Sequence, residues 1–425
     1  MRVSVLCARG IIANAPVATL NSASRCQKPR GACPTQVKSA TGKIVQFAPK
    51  DIPDLTISAA PTARLYPRAT GFIDAPFGFD GQFARLAGGL QFFSAWEIIA
   101  VDGGRRSGQW LIPVERIDDA LSGVSTEQAT ALREMMARAT GQRAPLILGE
   151  RTIRLDQPQV MGILNITPDS FSGGSDHIDD PGSAAAIGVE MAAAGASIID
   201  VGGESTRPGA VTVWEEDEKA RVLPVISRLA ASGTAISLDS RKAAVMEAGL
   251  AAGAHMINDV SALLFDDRAL SVVLRSSAPV VLMHAPGKQH DLHSGARYSD
   301  PLIEVFDWLE DRIAAVVAAG IPLNRIIADP GIGFGKGVAD NLAILNGLSL
   351  FHCLGVPVLL GASRKRIVGA LSNEAPVDKR LGGSVALALK GAEQGIQILR
   401  VHDVAETVQA LHVWRGMRDA ALSPR

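Results

Sequence analysis

Arg207, Lys365, Arg400 and His402 each follow a short apolar run, in a chain whose 42 basic and 43 acidic residues leave a net charge of -1. Arg grips a phosphate through paired N–H bonds, and Lys presents a mobile point charge. Four such residues at like positions make a local positive pole suited to a phosphate or diphosphate. Asp239, Asn258 and Asp329 follow other apolar runs and supply acceptors, Asn258 a donor as well. A carboxylate facing an aminopyrimidine-type edge makes paired hydrogen bonds, which strengthen away from water. One half of the expected pocket therefore suits a flat, nitrogen-rich ring and the other a diphosphate. Asn165 adds an amide oxygen as a ligand for Mg2+, with substrate phosphate expected to supply most of the remaining coordination.

Each of these residues also has a plainer reading. Asp239 or Asp329 alone would serve as a helix cap, and His402 as a core or helix-start histidine. His284 is at least as well read as packing. Arg364 and Arg366 have an alternative reading as solvent-facing side chains, and Gly331, Gly333 and Gly335 as the makings of a tight turn. The stretch DPGIGFGKG (329–337) is neither a phosphate-binding P-loop nor a dinucleotide fingerprint: Pro330 and Gly337 break the first pattern and Lys336 the second. No zinc-type His or Cys spacing appears.

Positioning these groups needs a regular scaffold, and the chain has one. Apolar strand candidates fall at 160–164, 197–201, 234–238, 255–258, 279–283, 325–328, 357–360 and 396–400. Ala-rich or amphipathic helical segments follow them at 181–194, 214–230, 242–251, 266–274, 300–319, 338–347, 381–393 and 403–417. Strand then helix, eight times over, predicts an α/β fold of the (β/α)8 TIM barrel type, whose chemistry sits at the strand C-termini. All eight predicted strands hand over to polar residues, the first to the loop NITPDSFSGG (165–174).

Before the barrel, residues 65–143 predict a small α+β module. Residues 90–101 and 110–114 read as a hairpin about the turn DGGR. Ser125 with Gln128 predicts a capped helix, Met135 and Met136 being packing residues. Phe72, Phe77, Phe79 and Phe83 predict an aromatic cluster, and Asp74, Asp80, Asp118 and Asp119 surface carboxylates. A second hairpin, 146–148 with 152–155, is expected to plug the non-catalytic end of the barrel. Residues 1–64 are expected to be a disordered or targeting-like extension. The first 50 residues hold eight Lys or Arg and no acid, which also suits translation from a start upstream of the true one. The expected domains are thus 1–64, 65–143 and 144–425.

Near-neutral charge gives no bulk field for nucleic acid or membrane, and no apolar run is long enough to span a bilayer. Four scattered cysteines argue against a disulfide framework and suit a reducing, cytoplasmic setting.

The motifs LNITPDSF (164–171), GGESTRPGA (202–210), LDS (238–240), INDV (257–260), DPGIGFGK (329–336), GASRKR (361–366) and RVHD (400–403), in this order, resemble dihydropteroate synthase, the pterin-binding barrel of folate synthesis. The resemblance covers roughly residue 144 to the C-terminus. It implies condensation of 7,8-dihydropterin-6-ylmethyl diphosphate with 4-aminobenzoate. It further implies that Asp239, Asn258, Asp329 and Lys365 hold the pterin, while Asn165, Arg207, Arg400 and His402 hold the diphosphate with its Mg2+. Phe171, Thr206 and Pro208 belong to loops that close over the site. Ser363, Lys365, Pro208 and Phe334 line the aminobenzoate pocket, where sulfonamides compete, and Asp169 orients the cation or the departing group. A homodimer is common in the family. The family usually reads SFSDGG, whereas Gly173 follows Ser172 here, so one acid is lost or shifted from the first loop. The competing readings are a methyltetrahydrofolate-dependent corrinoid methyltransferase, which needs no diphosphate cradle, and a non-catalytic pterin-binding protein.

Overall fold

The computed structural model describes residues 55–74, 76, 80–166, 180–207, 209–287, 292–295 and 297–422, together with the paired strands 37–38 and 44–45. Two compact units divide the chain, Met1–Leu55 and Thr56–Arg425. Within the first, the short strands pair antiparallel, Val37 opposite Val45.

The second unit contains the barrel. Its strands are Gln159–Asn165, Ile198–Gly202, Ile236–Asp239, Met256–Asp259, Val280–Met283, Ile326–Asp329, Leu359–Leu360 and Ile398–Val401. All adjacent pairs run parallel, and the eighth strand returns to the first through Leu399 opposite Val160. A single parallel bridge, Ala328 with Val358, joins the sixth and seventh strands and closes the ring. Each predicted strand is present, shifted by one or two residues toward its C-terminus in most cases. The helices follow from local chemistry. Asp180 accepts the Ser183 N–H at 3.0 Å ahead of the helix Pro181–Ala193. Four acids fill the first turn of Glu215–Ala231, where they meet the positive end of the helix dipole. Asp300, followed by Pro301, starts the helix Pro301–Ala318.

The expected plug is present. Strands Leu146–Leu148 and Arg151–Ile153 form a hairpin. Its Leu146, Leu148 and Ile153, with Leu155, pack against Met161, Ile198, Ala235, Met256, Val281, Ile327, Leu359 and Ile398, one residue from each barrel strand or its immediate start. This apolar layer closes the N-terminal end and leaves the C-terminal mouth for polar groups.

The module before the barrel is built on a four-stranded antiparallel sheet, the short strand Ala84–Arg85 lying beside one end of Phe92–Asp102. Phe92–Asp102 pairs with Arg105–Pro113 as predicted, about a turn in which Gly103 and Gly104 both have positive φ, 56° and 75°. Its other long neighbour, Arg64–Ile73, is a strand the sequence pattern did not predict, because Pro67 and Gly71 interrupt it. The capping box of Ser125 with Gln128 starts the helix Thr126–Thr140 as expected. The predicted cluster of four phenylalanines needs correction. Phe83 meets Phe92 edge to face at 5.5 Å, but Phe72 is 37% exposed, and Phe77 and Phe79 lie outside the described residues.

Candidate active site

Strand alternation selects the groups that reach the mouth. In the second strand Ile198 faces the plug, so Asp200 and Gly202 face inward in successive layers above it. A Cβ at Gly202 would lie 3.4 Å from Asn165 Oδ1 and 3.4 Å from Asp239 Cβ, so those two side chains flank it. The glycine leaves open the space between the first and third strands.

At the floor, Arg400 from the eighth strand donates from Nε to Asp200 Oδ2 at 2.6 Å and from Nη2 to Asp239 Oδ2 at 2.7 Å. Asn258 Nδ2 donates to the same Asp200 oxygen at 3.0 Å. Four strands are thereby tied through one carboxylate network. Burial pushes the Asp239 carboxyl up to about 7 despite Arg400, with Asp200 adding to the rise. Burial alone would lower the Arg400 guanidinium, but Asp200 and Asp239 hold it above its ordinary value.

Asp329, from the sixth strand, is buried and accepts the Gly331 N–H at 2.7 Å. Desolvation raises its carboxyl, opposed chiefly by Lys365. A Cβ on Gly361 would come within 3.9 Å of Asp329 Oδ2 and 4.0 Å of Arg400 Cδ, so the seventh strand's glycine leaves room between them. Lys365 donates to the Ile332 carbonyl and sits 4.5 Å above the Phe334 ring. Burial lowers its pKa to about 8, with Asp329 pulling the other way. Ser363 Oγ meets His402 Nδ1 at 3.1 Å and accepts the His402 N–H at 3.2 Å. Burial, reinforced by Arg400 and Arg364, lowers the His402 pKa to about 3, so its imidazole is neutral near pH 7.

The glycines of loop six make the turn that the plainer reading anticipated, with φ of 67°, 82° and 58° at Gly331, Gly333 and Gly335. Lys336 holds this loop from beneath, its Nζ donating to the carbonyls of His284 at 3.1 Å, Gly331 at 2.8 Å and Phe334 at 3.3 Å. His284 is a packing residue, edge-on to Trp308 at 4.9 Å and pushed to about 3 by burial. Arg366 is exposed, whereas Arg364 pairs with Asp403.

The structure thus gathers Asn165, Asp239, Asn258, Asp329, Phe334, Ser363, Lys365, Arg400 and His402 at one mouth. Arg207 stands exposed on the second loop, and Thr206 offers its carbonyl to His293 Nε2 at 2.7 Å. Asp169, Phe171, Ser172 and Pro208 lie outside the described residues. The expected four-residue positive pole needs correction. Arg400 is engaged by two carboxylates and His402 is neutral, so the floor sets Asp200, Asp239 and Asp329 against Arg400 and Lys365. Arg207 remains as an exposed cation at the rim.

The contacts of three residues escape the sequence pattern. Asp200 interrupts an apolar strand, a break in the run that is its one visible signal. His293 stacks on Phe334 at 5.0 Å and bridges the fifth loop to the second and sixth. Glu204 accepts the Val213 N–H at 3.0 Å and binds Arg241 and Lys242, closing the base of the second loop. Among the described residues no three His, Cys, Asp or Glu side chains cluster around a metal position. The lone amide oxygen of Asn165 suits a Mg2+ whose other ligands are water and phosphate oxygens, as that ion prefers.

Residues 161–402 match the family model described as pterin binding enzyme. The chain is 43% identical over 274 residues to dihydropteroate synthase of Neisseria meningitidis serogroup B, covering 63% of this chain and 96% of that one. It is similar to a solved structure of Xanthomonas albilineans dihydropteroate synthase with 4-aminobenzoic acid, at 47% identity and a TM-score of 0.61, covering 65% of this chain and 99% of that one. A second Xanthomonas albilineans structure, in complex with 7,8-dihydropteroate, matches at 45% identity and a TM-score of 0.58, covering 64% and 98%.

Proposed function

The chain belongs to the dihydropteroate synthases of the pterin binding enzyme family, and from that premise we propose how its barrel mouth works. The reaction joins 7,8-dihydropterin-6-ylmethyl diphosphate to 4-aminobenzoate. The methylene carbon–oxygen bond breaks, a carbon–nitrogen bond to the arylamine forms, the amine loses a proton, and diphosphate and 7,8-dihydropteroate leave. The observation that carries this reading is the network in which Arg400, Asp200, Asp239 and Asn258 share one floor beside Asp329 and Lys365.

In that reading Asp239, Asn258 and Asp329 pair with the amine and amide edge of the pterin, and Lys365 lies along it. Buried carboxylates read N–H donors strongly because water does not compete. Arg207 and the remaining N–H groups of Arg400 face the diphosphate. His402, neutral and oriented by Ser363, donates a hydrogen bond to it. Asn165, together with the substrate's own phosphate oxygens, would hold Mg2+, which would supply charge neutralisation for the leaving group. Ser363, Phe334 and Lys365, with Thr206 and Pro208 from the second loop, line the arylamine pocket, where a sulfonamide would compete. Asp169 orients the cationic carbon or the departing diphosphate. No strong base is required, since the arylamine is nucleophilic at neutral pH. The site acts by fixed charges and positioning.

A homodimer and a cytoplasmic setting accompany this reading. No helix among the described residues is long and apolar enough to cross a membrane. The test is incubation of the full chain with both substrates and Mg2+. The expected product is 7,8-dihydropteroate, formed with one diphosphate each and suppressed by a sulfonamide in competition with 4-aminobenzoate. Absence of product under these conditions would overturn the reading.

A further inference from the structure

Asp200 is a carboxylate with no exposed surface, placed inside an otherwise apolar strand. Burying such a group is costly unless its partners offset the loss of water, so its presence asks for a reason. One of its oxygens, Oδ2, takes both Arg400 Nε at 2.6 Å and Asn258 Nδ2 at 3.0 Å. The other, Oδ1, is buried and has no hydrogen-bond partner among the described residues. The carboxylate lies one inward layer below Gly202, the opening flanked by Asn165 and Asp239. Ser237, its register neighbour on the third strand, also carries a buried hydroxyl without a partner among the described residues.

We propose that Asp200 is a positioning residue that couples the two halves of the site by holding the ring-reading Asn258 and the diphosphate-facing Arg400 on a single carboxylate oxygen. A guanidinium on a flexible stem samples many rotamers. With Asp239 as its sole partner Arg400 would pivot about Nη2, and the added bond from Nε fixes the plane of the fork. Asn258 has an amide that can flip. Donation to Asp200 sets its nitrogen inward and leaves its carbonyl oxygen for the ligand's N–H. Asp200 therefore sets which atoms face the substrate at both ends without touching the reacting carbon.

The inference rests on the synthase reading above, and the experiment separates the two. Asp200→Asn keeps shape and one acceptor but removes the charge. Asp200→Glu keeps the charge and displaces it by one methylene. Each is compared with the native full chain in turnover, in the half-saturating concentration of the arylamine substrate, in affinity toward a dihydropterin alcohol lacking diphosphate, and in Tm. The expected result is a loss in kcat of tenfold or more in both variants. Binding of the ring-only probe weakens at least fivefold, while half-saturation by the arylamine stays within twofold. Should the Asn variant not fold, the Glu variant alone carries the same expectation. The proposal is overturned if a folded variant keeps kcat and probe affinity within twofold of native. It is equally overturned if kcat, both affinities and Tm all decline together, the mark of general damage. A native chain that makes no product sinks the synthase reading, whereas an active native chain with an unaffected variant sinks only the role of Asp200.

Discussion

Lys365 stands at the N-cap of the helix Arg366–Leu371, its ammonium on the Ile332 carbonyl and above the Phe334 ring. Removing one fixed donor from a preorganised site typically costs on the order of 100-fold in turnover. Lys365→Ala is expected to lose about that much in kcat with an unchanged circular-dichroism spectrum, and native-like kinetics would contradict the assignment. The pKa of about 8 gives a second prediction. The cation is lost as pH rises through about 8, so kcat/KM for the dihydropterin substrate should fall on that alkaline side. Stability moves the other way. A lysine whose folded pKa is depressed opposes folding fully below about 8, and that opposition fades toward its ordinary 10.5. A rate that falls while Tm does not is the expected signature, and Lys365→Arg should carry the fall to higher pH. No acidic limb from His402 is expected above about pH 4, since its pKa is lowered to about 3. At this scale Asp239, Asn258, Asp329 and Arg400 were legible because each marks the point where an apolar run ends or reaches its last turn toward the mouth. Asp200 was hidden by its apolar neighbours, and the pairing that engages Arg400 depends on contacts between strands 200 residues apart in sequence.

Between residue and molecule stand the loop after the sixth strand and the plug. Gly331 has φ of 67°, and a Cβ there would overlap the His284 carbonyl oxygen. Both strain and overlap fall on backbone, which cannot swing aside. Gly331→Ala should therefore destabilise by roughly 3 kcal/mol or more, among the larger single-residue effects, as read by chemical denaturation. A change under half that size would show the loop to be more pliable than its geometry implies. Leu148 is 1% exposed in the plug layer. Leu148→Ala should cost about 2–5 kcal/mol by opening a cavity, while the folded fraction keeps its turnover because the mouth lies at the opposite end. Strand and helix periodicity made the eight units and the plug readable. The strand Arg64–Ile73 was not, since Pro67 and Gly71 mask a pairing that only Phe92–Asp102 reveals.

On the scale of the molecule, the α+β module and the barrel share a core. Tyr66 packs edge-on against Phe306 at 5.9 Å and donates to Asp307, while Arg138 donates to the Cys353 carbonyl. Buried Arg143 donates to the carbonyls of Val356 and His352, tying the end of the module to backbone that leads into the seventh barrel strand. Calorimetry is expected to show one cooperative transition for module and barrel together, and two separated transitions would contradict the shared core. A chain starting at Ala144 should aggregate, having bared Phe306 and Phe351. Deletion of residues 1–50, by contrast, is expected to leave turnover unchanged. The sequence disclosed that a module exists but not what it packs on, because its contacts lie hundreds of residues away. The central claim is that residues from all around the barrel meet to hold both substrates at one mouth. Its most direct test is the product assay on the native chain beside Arg400→Ala, with dihydropterin diphosphate, 4-aminobenzoate and Mg2+. Dihydropteroate and diphosphate in equal amounts from the native chain, and a loss of at least tenfold in the folded variant, are the predicted result. No product from the native chain, or equal rates from both, would contradict it.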